Sequence, residues 1–135
     1  MHKGFLIIAS VLAALSVALG AFGAHALKKL VPPETVGSFE TGVRYQFYHT
    51  FALFIVAILF RSFPGKWMTA AGWLFVAGII LFSGSLYLLT MLKATNAVGL
   101  KGIGIITPFG GLFFIAGWIC MLIGILSVDN SSKLL

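Results

Sequence analysis

The sequence predicts an all-α integral membrane four-helix bundle, with a short interfacial amphipathic segment between helices 1 and 2. Three observations carry this. Residues 4–27, 45–60, 67–92 and 102–128 hold no charged side chain, and a helix needs roughly 20 apolar residues to cross a bilayer. Of the 135 residues, 60% are hydrophobic and 9% charged, against about 25% charged in an ordinary soluble domain. No hydrophilic segment is long enough for a second domain. Residues 1–135 therefore read as one unit with spans at about 4–27, 43–62, 68–92 and 103–128.

The first span is rich in small residues, among them Ala9, Ala13, Ser16, Gly20 and Gly23. Small residues four apart let helix backbones approach closely, which places this helix inside the bundle. Ala24-His25-Ala26 resembles a signal-peptide cleavage site. The uncharged run before it is longer than the 7–15 residues of a signal h-region, so a retained first span is expected. Lys28-Lys29 ends the run, and Pro32-Pro33 breaks the chain, because proline donates no backbone hydrogen bond. From Glu34 onward, Val36, Phe39, Val43 and Phe47 recur at three and four residues. That spacing makes an apolar stripe, read over residues 34–44 as an interfacial helix feeding the second span.

The uncharged part of the second span has 16 residues. Arg44 and Arg61 extend it by snorkelling to the interfaces. Pro64-Gly65 makes a turn, and Trp67 suits an interfacial anchor. The third span carries Gly72, Gly78 and Ser83-Gly84-Ser85. A short polar loop with Asn96, Gly99 and Lys101 leads into the fourth span, where Pro108 is expected one turn inside, at a place where its missing donor costs little. Residues 129–135 read as a disordered tail. Lys3, Arg61, Lys66 and Lys133 fall on one side, and Lys28, Lys29, Arg44, Lys93 and Lys101 on the other. Four basic residues against five leave orientation undecided by the positive-inside rule.

Charge and cysteine usage exclude several functions. The net charge of +6 comes from basic residues at the ends of apolar runs, as in membrane flanks. No basic face tracks phosphates, so nucleic acid is not an expected partner. Cys120 is the only cysteine, which leaves no disulfide framework or thiolate metal site. Glu34, Glu40 and Asp129 are the only carboxylates. All fall outside the predicted hydrocarbon core, which counts against a proton-driven exporter, since such carriers place a relay group inside a span.

Candidate polar residues are His25, Arg44, Tyr45, Gln46 and His49. His25 ends the first span and His49 begins the second, so both are expected at one membrane face. Two such histidines can ligate a haem iron or hold a metal. The plainer alternative is a hydrogen bond from each ring to a neighbouring helix. Candidate helix-packing residues are Gly20, Gly23, Ser83, Gly84, Ser85, Gly110, Gly111 and Gly117. No catalytic set, metal site or required cofactor is expected.

The ordered motifs Gly20-Ala21-Phe22-Gly23-Ala24-His25-Ala26-Leu27, Tyr45-Gln46-Phe47-Tyr48-His49, Leu81-Phe82-Ser83-Gly84-Ser85-Leu86-Tyr87 and Ile106-Thr107-Pro108-Phe109-Gly110-Gly111 span nearly the whole chain. In that order they resemble the small bacterial multi-pass inner-membrane family catalogued as domain of unknown function 423, to which a small eukaryotic transmembrane protein is related. The resemblance implies a multi-pass protein of the inner membrane and supplies no catalytic role. It draws attention to His25, Tyr45, Gln46, His49, Ser83, Ser85, Tyr87, Thr107 and Pro108. The expected function is a non-enzymatic packing or accessory component, surrounded by the lipid bilayer and partnered by itself or by a larger membrane complex. Two alternatives stand beside it: a small oligomeric transporter or channel, and a haem- or quinone-binding redox subunit using His25 and His49.

Overall fold

A computed structural model describes residues 1–96 and 102–128, and the polar loop around Gly99 and the tail from residue 129 lie outside the described residues. Among the described residues, four helices are long and apolar enough to cross a membrane. Helix α1 runs Lys3–Ala24, α2 Pro33–Leu59, and α5 Ile103–Leu126. The third span is composite: α3 Lys66–Gly78, a π-helical segment Ile79–Ser83, and α4 Gly84–Ala94.

Each helix begins where its sequence allows. His2 caps α1, its Nδ1 accepting from the Phe5 amide at 3.2 Å, and the His2 amide donates to the Ala57 carbonyl at 2.9 Å. The start of α1 is thereby tied to the end of α2, and the two helices run antiparallel. A 3-10 turn, Leu27–Lys29, and Pro32 separate them. Pro33 opens α2 at a position where its missing N–H and fixed φ fit a helix start. Pro108 lies one turn inside α5, as expected, but beyond the first four residues, whose amides have no intrahelical acceptor. A proline there leaves the Gly104 carbonyl without its usual i+4 donor.

Residues 34–44 form the opening turns of α2 and are continuous with the rest of the 27-residue helix. The stripe seen in the sequence is real, but it faces protein. Val36, Phe39 and Val43 are buried with Leu27 and Val31, against Phe22 and Tyr87. A larger core below gathers Phe5, Leu53, Val56, Met68, Phe75 and Phe114. Helix α1 does not sit inside the bundle as expected. It packs along α2 and reaches α3 through Phe5, while Ile7, Val11, Leu15 and Val17 on its outer side are exposed.

Lipid gives no hydrophobic push between helices, so close packing must hold them. The tightest approach is at Gly110, where a Cβ would collide with the Phe82 backbone nitrogen and lie 2.7 Å from its Cα. Phe82 belongs to the π-helical segment, and α5 therefore rests on main chain there. A Cβ at Gly117 would lie 2.7 Å from the Phe75 ring, and one at Gly23 would lie 3.0 Å from the Phe39 ring. Gly42, Gly72 and Gly78, absent from the sequence-derived packing set, are equally tight against Tyr87, Phe5 and Phe114. Gly20 and Gly111 have room for a methyl group, at 3.6 Å from Val43 and 4.0 Å from Phe82. Gly84 corrects the expectation: a Cβ there meets nothing within 4 Å, because the residue borders an open cleft beside Ile103 and Ile106 of α5.

Gly110→Ala is expected to destabilise the protein by about 1–3 kcal/mol, since backbone cannot move aside as a side chain can. Gly84→Ala is expected to be neutral or to stabilise by up to about 1 kcal/mol through helix propensity. Thermal unfolding in one detergent distinguishes them; a Gly84 variant as unstable as the Gly110 variant contradicts the packing described.

Candidate functional site

The polar side chains of the spans collect around α2. Gln46 is 3% exposed and bridges three helices. Its Nε2 donates to the Leu12 carbonyl of α1 at 3.1 Å, and its Oε1 accepts from the Tyr87 hydroxyl of α4 at 2.7 Å. Leu12 lies near the middle of α1, which is about 33 Å long at about 1.5 Å per residue. The Gln46 bridge is therefore close to mid-bilayer. One turn earlier, the Ser83 hydroxyl donates to the Gly42 carbonyl at 2.6 Å. Ser85 and Thr107 share a 2.6 Å hydrogen bond that joins α4 to α5.

The π-helical segment helps to aim these groups. A π turn inserts one extra residue into the helix. Ser83 ends that segment and faces α2, while Ser85, in the first turn of α4, faces α5. Two serines only two residues apart thus serve two different neighbours. Nothing in the local sequence beyond the flanking glycines marks the segment.

His49 is buried between α2 and α5. Its Nδ1 lies 2.8 Å from the Tyr45 carbonyl, and its Nε2 lies 3.2 Å from Trp118 Nε1. An indole N–H only donates. Nε2 must therefore be the acceptor, and the hydrogen sits on Nδ1, directed at the carbonyl. The ring stacks on Phe114 with centroids 3.5 Å apart and planes 7° off parallel.

The two histidines do not meet. His25 is exposed just past α1, its Nδ1 3.0 Å from the Ala21 carbonyl. Gly23 beside it packs on Phe39 of α2. His49 is a further ten residues along that helix, about 15 Å by helix rise. The span began earlier than the uncharged run suggested, so a residue read as lying at the membrane face lies near its middle. A shared haem iron does not fit this arrangement, and both His49 nitrogens already have partners. Among the described residues, no group of three or more His, Cys, Asp or Glu side chains is placed to hold a metal ion. Arg44 is exposed on the outer surface of α2, away from the Gln46 bridge.

Beside His49 lies a lipid-facing groove of about 510 Å³ between α2 and α5, walled by Tyr45, His49, Phe82, Pro108, Phe114 and Trp118. A second cleft, about 320 Å³, opens at the turn between α1 and α2 beside Lys28 and Glu40. Both of those charged residues are exposed. Sequence reasoning missed Tyr87 as a partner of Gln46 and Trp118 as a partner of His49. Their separations of 41 and 69 residues leave no local signal.

Interhelical hydrogen bonds in membranes contribute about 0.6–2 kcal/mol. Tyr87→Phe and Gln46→Leu are each expected to destabilise by that order. Their effects should couple in a double-mutant cycle read by unfolding in bicelles. Strict additivity contradicts a direct bond.

The comparisons agree with this architecture. The family model described as "Protein of unknown function (DUF423)" matches residues 19–111. The chain is 43% identical over 122 residues to the UPF0382 membrane protein YwdK of Bacillus subtilis, covering 90% of this chain and 94% of that one. It is 41% identical over 123 residues to the UPF0382 membrane protein SAB0533 of Staphylococcus aureus, covering 90% and 93%. It is 38% identical over 119 residues to the UPF0382 inner membrane protein YgdD of Escherichia coli, covering 88% and 86%. No solved structure matches. With four spans and relatives of this kind over most of its length, the chain belongs to the DUF423 family of multi-pass membrane proteins.

Proposed function

We propose that the protein is a non-enzymatic component of the cell membrane that works through helix packing, with further copies of itself or within a larger membrane complex. The observation that carries this reading is the position of α1. Its inner side uses Ala9, Ser16 and Gly23 against the rest of the bundle, where all three are buried. Its outer side carries Ser10, Ala14, Ala18 and Ala21 interleaved with the larger Ile7, Val11, Leu15 and Val17, all exposed. An edge helix with small residues on its free side suits close approach by another helix. The free side of α5 carries Ile105, Phe109, Leu112, Ile115, Ile119 and Leu122 with no exposed alanine or serine between them, a surface that suits lipid chains.

The arrangement of polar groups supports the same reading. Gln46, Tyr87, Ser83, Ser85, Thr107, His49 and Trp118 are each hydrogen-bonded within the bundle. A catalytic or transport role asks for polar groups free to engage a substrate.

Native mass spectrometry from a mild detergent tests this. The wild type is expected as a defined oligomer, or with a bound membrane partner. Ala14→Leu combined with Ala18→Leu is expected to weaken that association at least tenfold, with helicity retained because both positions are exposed. A wild-type monomer, or an assembly indifferent to both substitutions, contradicts the proposal.

A further inference from the structure

We infer that the outer face of α2 docks a second copy of this chain, with Glu40 of each copy paired to Arg44 of the other. This names a partner and a face that the packing role leaves open, and it does not rest on the outer side of α1.

Charge singles out the face. Away from their ends, the exposed residues of α1, α3, α4 and α5 carry no charge. Helix α2 differs. Gly37, Glu40, Arg44 and Tyr48 are exposed, and Phe51, Ile55 and Ile58 continue the same row towards its end. Steps of three and four residues put all of them on one side of the helix. The row is polar in its first half and apolar in its second, so only the first half is ill suited to lipid chains.

Depth makes that half costly to leave bare. The Gln46 bridge lies near mid-bilayer. Arg44 is two residues earlier and Glu40 six, about 3 Å and 9 Å by helix rise. The hydrocarbon extends about 15 Å from its centre. Charged side chains at such depths pair or face protein. Within one chain these two do not pair. Among the described residues, neither Glu40 nor Arg44 has an opposite charge within 4.0 Å, although Lys28 shares the cleft that Glu40 lines.

Complementarity decides the occupant. An anionic lipid headgroup would suit Arg44 and be repelled by Glu40. A second copy carries both charges in the same order. Helix side chains lean towards the N-terminus, so the Arg44 guanidinium reaches back to the level of residue 40. A two-fold axis along the membrane normal then sets each Arg44 beside the partner's Glu40, at both edges of one contact. Gly37 lets the second helix come close, since a Cβ there meets nothing of its own chain within 4 Å.

Cross-linking in proteoliposomes tests the proposal. Chains carrying Gly37→Cys, with Cys120→Ala to remove the native thiol, are treated with a short bismaleimide. A covalent dimer is expected. Glu40→Arg and Arg44→Glu are each expected to lower its yield about tenfold, by setting like charges against each other across the contact. Mixing the two variants is expected to restore dimers holding one chain of each kind, because the charges are then opposite between chains while remaining alike within each. If the Arg44→Glu chain fails to insert, Glu40→Gln mixed with Arg44→Gln replaces the pair, since one bridge between chains survives in that mixture. No covalent dimer, a yield indifferent to the charge changes, or a mixture that stays unlinked overturns the assignment.

Discussion

Lipid chains are as apolar as leucine, so nothing drives these helices together except what they do for one another at short range. That constraint organises the molecule. Helix α5 lies on the main chain of the π-helical segment because Gly110 has no side chain. Helix α1 lies on α2 because Gly23 admits the Phe39 ring. At the centre, one side chain holds three helices: Gln46 extends from α2 to a carbonyl of α1 and a hydroxyl of α4. A glutamine at this depth without partners would be a liability, and with both of them it fixes the register of three helices at once. Thr50, one turn further along α2, is the contrast, since its hydroxyl is buried without a partner among the described residues.

The spans were legible because charge is so costly in hydrocarbon that long runs without it mark the membrane-crossing helices. The apolar stripe of Val36, Phe39 and Val43 was legible for a similar reason, since helical spacing survives in any setting. Charge also misled. Glu40 and Arg44 lie in the first half of α2 and made it look short, which displaced His49 towards an interface it does not occupy. The exposed position of Arg44 resolves the conflict, because a lipid-facing arginine can snorkel. The glycines show another limit. Gly84 and Gly110 look alike in the sequence, and only the helical phase of each relative to its neighbours separates open space from contact with main chain. The π-helical segment altered that phase across the third span.

Among the polar residues, the sequence singled out the polar stretch of α2 but not the side chains it bonds to. Gln46 and His49 were visible as unusual side chains in an apolar run. Tyr87 and Trp118 were not assignable to them, because the pairing arises from three-dimensional packing between distant segments. The resulting pattern divides the α2 cluster by what each side chain touches. Gln46 and His49 bond inward and hold the bundle. Tyr45 turns outward into a groove lined with aromatic rings. His25, left at the end of α1, belongs to neither group.

The most direct test of a bundle centred on Gln46 is the distance between its side-chain nitrogen and the Leu12 carbonyl in a lipid bilayer. Solid-state NMR dephasing between ¹⁵N at Gln46 Nε2 and ¹³C at the Leu12 carbonyl reads it. Strong dephasing is predicted, in keeping with an N···O separation of 3.1 Å, together with slow exchange of the side-chain amide with D₂O. Weak dephasing together with rapid exchange would place Gln46 in water, and a bundle centred on it would be wrong.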